Sequence, residues 1–179
     1  MNLHIGCGPC YFENWINIEI DPNYKCDLIH DMTQPFPYES NSVDFIYSEH
    51  TIEHITVEDA VKFFKEVYRI LKPGGVIRTA TFDMDVFLQH HQPESIDWKE
   101  AAHWNEVGLG FIETRMESLN IAMRWWGHQY VYNVEEMIRR LREAGFSNVY
   151  SSQFNKSNYL ELCNREYRPE SDLIIEAVK

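Results

Sequence analysis

Two glycines flank a cysteine at Gly6-Cys7-Gly8, directly after the short apolar run Leu3–Ile5. Glycine at such a place lets the backbone turn tightly and approach a ligand with no Cβ in the way. Polar groups then recur at the ends of the next apolar runs: Glu19 in Asn17-Ile18-Glu19-Ile20-Asp21, Asp31, and Ser48. A carboxylate at Glu19 can accept hydrogen bonds from both hydroxyls of a ribose. One glycine pair makes a turn and nothing more, whereas four such positions at successive run ends mark a ligand site.

Two further patterns compete for the same residues. Cys7-Gly8-Pro9-Cys10 spells a C-x-x-C redox pair, whose chemistry needs a thiol of lowered pKa at a helix start. Redox folds of the thioredoxin type place a βα unit and a central strand before the motif, and here six residues precede it. His50-Thr51-Ile52-Glu53-His54 matches H-x-x-E-H, in which two histidines on one helical face hold zinc and the glutamate activates water. No third metal ligand can be assigned from the sequence, so no metal site is expected. Both histidines follow a strand and stand at the carboxyl edge of the sheet, where ligands of open α/β sheets bind. A neutral imidazole takes up a proton near pH 7, which makes His50 and His54 the candidate general bases.

The elements that must position these groups alternate in kind. Short runs at Leu3–Ile5, Trp15–Ile20, Asp27–His30 and Val43–Ser48 read as strands, the last with Val43, Phe45 and Tyr47 at period two. Thr56 with Asp59 forms a capping box for a helix whose stripe is Val61, Phe64, Val67, Tyr68 and Leu71. Lys72-Pro73-Gly74-Gly75 stops that helix before a strand at Val76–Thr81. Asn133 caps a second helix through Met137, Ile138, Leu141 and Ala144, stopped by Gly145. Strands at Asn148–Ser152 and Leu173–Val178 close the chain. The order predicts one α/β domain over residues 1–179, with a largely parallel sheet and residues 84–130 as a helical insertion or lid beside the acceptor. Within it, Trp98, Trp104, Trp125, Trp126, His128 and Tyr130 are either core or the wall of an acceptor pocket, core being the commoner fate of such aromatics.

Bulk properties bound the partners. The 179 residues carry 16 Lys and Arg against 28 Asp and Glu, a net charge of -12. That surface repels phosphate backbones and anionic membranes, so nucleic acid and membrane are not expected partners. Arg139, Arg140 and Arg142 read as a solvated helix face. No stretch approaches the about 20 apolar residues of a membrane span. With no signal-peptide pattern and four cysteines that make no disulfide framework, a cytoplasmic protein is expected.

The chain resembles the class I, Rossmann-like S-adenosylmethionine-dependent methyltransferases, in particular a compact group of predicted bacterial enzymes. The resemblance rests on IGCG (5–8), WINIEIDP (15–22), HDMTQPFPYESNSVDFIYSEHTIEH (30–54) and EVYRILKPGGVIR (66–78), with a weaker echo in 128–146 and in the final strand. It implies a seven-stranded sheet, parallel except for an antiparallel last strand, and S-adenosylmethionine as cofactor. By the same resemblance Gly6, Cys7 and Gly8 lie under its methionine part, Glu19 and Ile20 meet its ribose, Asp31 and Met32 meet its adenine, and Ser48 and Glu49 close the site.

Two departures bear on the fold. Cys10 stands where the family has a third glycine, and only Cys7 to Asn14 separates the first two strands, too few for a crossover helix. One sheet face is therefore short of helix, and the middle segment or a second subunit, as a homodimer, is expected to cover it. The activity implied is methyl transfer to an oxygen or nitrogen of a small-molecule or glycan-type acceptor. A catalytically silent cofactor-binding partner protein and an NAD-dependent Rossmann enzyme are the alternatives.

Overall fold

The computed structural model describes residues 1–92, 94 and 108–179. Its sheet holds β1 (Asn2–Ile5), β2 (Ile16–Glu19), β3 (Leu28–Ile29), β4 (Val43–Glu49), β5 (Leu71–Thr81), β6 (Asn148–Ser151) and β7 (Leu173–Val178). The strands lie in the order β3-β2-β1-β4-β5-β7-β6. Pairs along β3-β2-β1-β4-β5 are parallel, and β7 runs antiparallel to both β5 and β6. The expected Rossmann-like sheet is therefore present, reversed only at its last strand. Among the described residues no helix lies between β1 and β4, so the early crossovers are indeed short.

Helix α1 (Val57–Ile70) crosses from β4 to β5. Thr56 Oγ1 accepts from the Asp59 amide at 3.2 Å, which satisfies one of the orphan N–H groups of the first turn. The buried stripe is Ala60, Phe63, Phe64, Val67 and Ile70, with Val61 and Tyr68 at its edge. The buried face is thus rotated from the expected one, because Phe63 and Phe64 both go inside. Lys72–Gly75 ends the helix as expected, but within β5: Leu71 pairs with Val43 and Val76 with Phe45, so the four residues bulge opposite Asp44. Helix α4 (Val134–Glu143) starts where Asn133 Oδ1 accepts from the Glu136 amide at 2.9 Å, and Gly145 leaves it at φ 114°. Its Arg139 and Arg140 pair with Glu136 and Glu143, a solvated face as read.

α1 and α4 pack on one face of the sheet, over Leu3, Ile5, Ile18, Ile46, Ile77, Ile175 and Ala177. On the opposite face, where the middle segment or a second subunit is expected, the chain's own residues 152–168 and the loop through Phe12 and Trp15 supply cover. Leu162 and Tyr159 pack there with Trp15, Tyr47 and Val76. Glu166 reaches Arg78 of β5 with Nε–Oε1 2.5 Å and Nη2–Oε2 2.9 Å. The face can accept this irregular cover because its central row is polar, so hydrogen bonds join the small apolar cluster around Leu162 in holding the cover in place.

The middle segment contributes α2 (Met84–His90) and α3 (Arg115–Arg124), joined by a satellite core of Leu109, Ile112, Ile121 and Ala122 against Phe82 and Phe87. Of these, α2 follows directly on the carboxyl end of β5. Among the described residues no helix is long and apolar enough to cross a membrane.

Candidate functional site

The glycine loop is tied to the end of β2. The Gly6 and Cys7 amides donate to the Ile18 carbonyl at 2.9 and 3.1 Å, and the Gly8 amide donates to Glu19 Oε2 at 2.8 Å. Glu19 Oε1 takes the amides of Ile20 and Asp21 at 2.8 and 3.1 Å. Three N–H groups thus hold a nearly buried carboxylate, two on Oε1 and one on Oε2, which leaves one lone pair of Oε2 open among the described residues. Gly6 (φ 68°) is required by packing, since a Cβ there would lie 2.4 Å from Thr51 Oγ1. Gly8 (φ 48°) differs: its missing Cβ would meet nothing within 4 Å among the described residues. Gly8 therefore leaves an open cradle beside Glu19, and the exposed side chain of Ile20 adjoins it.

Cys7 lies under the loop, its Sγ near the Lys25 and Gly8 carbonyls. Burial first, and then the neighbouring Glu19 carboxylate, push this thiol up to about 12. Burial also raises Cys10. A redox pair needs the opposite shift, so this C-x-x-C is part of the turn.

Asp31 and Met32 follow β3, where Asp31 Oδ1 accepts from the amide and hydroxyl of Thr33 at 2.9 and 2.8 Å and Met32 is half-buried against the core. Ser48 and Glu49 end β4 but are engaged inward. Ser48, in register with Ile5, donates to Thr79 Oγ1 at 3.1 Å on the helix-covered face. Glu49 accepts from Ser171 Oγ at 2.6 Å and from the Tyr167 and Arg168 amides at 3.3 Å, which anchors the 167–171 segment. Burial raises its pKa. Gly6, Cys7, Gly8, Glu19 and Ile20 thus form one constellation, Asp31 and Met32 stand one strand further out, and Ser48 and Glu49 hold the neighbouring chain.

His50 and His54 lie together on the wall of a cavity of about 430 Å³, with Phe82, Phe87, Trp126, His128 and Arg168 among its lining. None of Gly6, Gly8, Glu19 or Asp31 lines it; Thr51, next in the chain to the lining residue His50, packs on Gly6 and donates to the Glu49 carbonyl. The H-x-x-E-H segment is not a helix here: His50 sits at φ 47° and Ile52–His54 make a single 3-10 turn. The two histidines do not share a helical face, and His50 Nδ1 instead lies 3.0 Å from Glu53 Oε1. Glu53 is fully buried and also accepts from Thr81 Oγ1 at 2.9 Å. Burial would raise this carboxyl, yet the His50 hydrogen bond and the His50 and His54 charges bring it down to about 2. In the neutral ring, Nδ1 donating to Glu53 leaves Nε2 as the acceptor nitrogen, and Nε2 has no partner among the described residues.

Of the expected aromatic wall, Trp126 and His128 line the cavity, Trp125 is half exposed, and Tyr130 donates to Glu136 Oε1 at 2.9 Å away from it. Trp98 and Trp104 lie outside the described residues. Glu53 as the carboxylate that orients His50, and Arg168 as a cavity residue, were not singled out from sequence. For Glu53 the signal was its i,i+3 spacing from His50.

Residues 3–79 match the family model described as a methyltransferase domain. A demethylmenaquinone methyltransferase of Staphylococcus aureus (strain JH9) is 30% identical over 131 residues, covering 68% of this chain and 48% of that protein. Phosphoethanolamine N-methyltransferase 2 of Caenorhabditis elegans is 23% identical over 145 residues, 74% of this chain and 32% of that one. The chain thus spans less than half the length of these curated relatives. A solved SAM-dependent methyltransferase of Thermotoga maritima superposes with a TM-score of 0.62 at 20% identity, covering 99% of this chain and 81% of the other. One from Archaeoglobus fulgidus gives 0.61 at 16% identity, covering 99% and 85%.

Proposed function

We propose that this chain, whose residues 3–79 belong to the methyltransferase domain family and whose fold is that of the class I S-adenosylmethionine-dependent methyltransferases, transfers a methyl group to an oxygen or nitrogen of a small-molecule or glycan-type acceptor. S-adenosylmethionine, when bound, supplies the methyl group on an already activated sulfonium, so the protein's work is alignment and exclusion of water. The observation that carries the reading is the Gly8–Glu19 lock with open space over Gly8. It fits the cofactor: the cradle admits the methionine part, the spare lone pair of Glu19 Oε2 accepts a ribose hydroxyl, and Ile20 offers apolar surface. Asp31 and the Met32 backbone are assigned to the adenine. Ser48 and Glu49 act from below, by fixing the end of β4.

The acceptor enters the cavity beside His50. Glu53 holds the His50 ring through Nδ1 and leaves Nε2 to take the acceptor's proton, with His54 as the second candidate. Residues 84–130 serve as the insertion that closes this side, through Phe87, Ala122, Trp126 and His128. Relatives named for phosphoethanolamine and demethylmenaquinone support a small-molecule acceptor. Four free cysteines accord with the reducing cytoplasm as its compartment.

The test is calorimetric titration with S-adenosylhomocysteine and, separately, NAD. One site for S-adenosylhomocysteine is expected, weakened about 10–100-fold in Glu19→Ala, as the loss of hydrogen bonds to a charged acceptor dictates. NAD binding as tightly as S-adenosylhomocysteine, or binding indifferent to Glu19→Ala, would overturn the assignment.

A further inference from the structure

The 3-10 turn Ile52–His54 and the strand-like return at Gln129–Tyr130 are fastened together. The Gln129 and Tyr130 amides donate to the Glu53 carbonyl at 2.7 and 3.2 Å, and Gln129 Nε2 donates to the His54 carbonyl at 2.7 Å. This brings the His54 and His128 rings edge-on, with centroids 4.8 Å apart. One donor atom from each of Glu53, His54 and His128 lies within 4.8 Å of the other two.

Two of the three donors are already oriented by hydrogen bonds. His128 Nδ1 is 2.7 Å from the Ala122 carbonyl oxygen, which only accepts, so the proton sits on Nδ1 and Nε2 presents its lone pair. Glu53 has Oε1 filled by His50 and Thr81. Its Oε2 is buried and has no partner among the described residues. A buried carboxylate oxygen without a donor costs free energy unless a cation or a proton compensates it. Two imidazoles and one carboxylate are the donor set of borderline divalent metals rather than of magnesium or calcium.

We infer that Glu53, His54 and His128 hold a divalent transition-metal ion, of the zinc or cobalt class, on the wall of the acceptor cavity. Three protein donors leave coordination positions open toward the cavity. The acceptor class is thereby narrowed to small molecules that present a chelating pair of oxygens, such as vicinal hydroxyls or a hydroxy-carboxylate. His54 becomes a ligand, and His50 alone remains to take the proton. The narrowing of the acceptor rests on the methyl-transfer reading; the ion itself does not.

The experiment uses the full chain, stripped with a chelator and titrated with Co²⁺ and Zn²⁺ by calorimetry and, for Co²⁺, by visible absorption. One ion per chain is expected, with a d–d band. Glu53→Gln and His128→Ala are expected to weaken it at least about 100-fold, since loss of even an outer-shell partner costs about 10–100-fold. His90→Ala, another cavity histidine, is expected to leave it unchanged. Should Glu53→Gln fail to fold by circular dichroism, His54→Ala, at a half-buried position, gives the same reading. Absence of the band and of binding heat, or binding that survives His54→Ala and His128→Ala, overturns the site. S-adenosylhomocysteine is titrated in parallel: its binding without metal binding removes only the metal site, and the reverse removes only the methyl-transfer reading.

Discussion

The two faces of this sheet solve the same problem in opposite ways. On the helix side Leu3, Ile18, Ile46, Ile77 and Ile175 meet α1 and α4 through apolar contact, which is non-directional and tolerant. On the other side one register row runs Asn17, His4, Tyr47, Arg78, Glu176, Tyr150, each paired directly with the next. Arg78 has all its donors engaged, by Glu166, Glu176 at 2.5 Å, Ser152 Oγ at 2.9 Å and the carbonyls of Gln153 and Lys156 at 2.9 and 3.0 Å. Asn17 Oδ1 accepts from the Phe12 amide at 2.8 Å, and His4 stacks on Phe12 with centroids 4.0 Å apart. The lesson is that an irregular segment can cover a sheet where helices are missing, provided the sheet offers it counted hydrogen bonds. Desolvation of the charges is the cost, and a single arrangement of the cover is the return.

The largest effect should come from breaking the polar row at its centre. Arg78→Met leaves Glu166 and Glu176 buried and unpaired, which costs about 3–5 kcal/mol of unfolding free energy in urea titration. Adding Glu166→Gln and Glu176→Gln to it should restore more than half of that loss. A loss as large in the triple variant would mean that packing, and not charge pairing, holds this face.

A second effect concerns acid. Burial, and then the nearby Arg165, lower His4 from its ordinary 6.5 to about 4, while the hydrogen bond with Asn17 opposes them. The unfolded chain therefore binds this proton below about pH 6.5 and the folded chain only near pH 4. The stability due to His4 is full above pH 6.5, declines as pH falls through that window, and levels off below 4, a total of about 3 kcal/mol. His4→Phe, which keeps the ring stack, should flatten the slope of stability against pH by up to one proton; an unchanged slope would remove His4 from the account.

The smallest effect belongs to the helix side. Asn133→Ala removes the cap of α4 and should lower stability by about 1 kcal/mol, with no change in the pH slope. A pH-dependent loss there would mean that the two faces are coupled.

Much of the frame was legible because its signals are local. Thr56 and Asn133 cap helices through residues three positions away, Gly145 stops one, and period two in Val43, Phe45 and Tyr47 reports a strand with no reference to anything distant. The cofactor constellation was legible in part, since Gly8 and Glu19 stand at neighbouring strand ends. The cover of the second face was not. Arg78 in VIRTAT reads as the outward residue of an alternating strand, and its partner Glu166 is separated from it by 88 positions. Ser48 and Glu49 were placed correctly at the end of β4, yet the direction of their side chains depends on Thr79 and Ser171 and is written in neither neighbour. The turn at His50 is not legible for a similar reason: φ 47° is uncommon for a histidine, and its neighbour Thr51 packs on Gly6, a contact across 45 positions.

The late position of that cover sets the order in which the molecule can be completed. Strands β1 to β5 are in hand by residue 81, but the guanidinium of Arg78 has no anion to meet until residues 166 and 176 have been made. During synthesis, and in any refolding experiment, the helix side can condense early while the polar row stays wet. Closure of such distant pairs is a slow step, so the last step of folding should be the docking of residues 152–178, and its rate should fall with Arg78→Met while the collapse of α1 onto β1 and β4 proceeds unchanged.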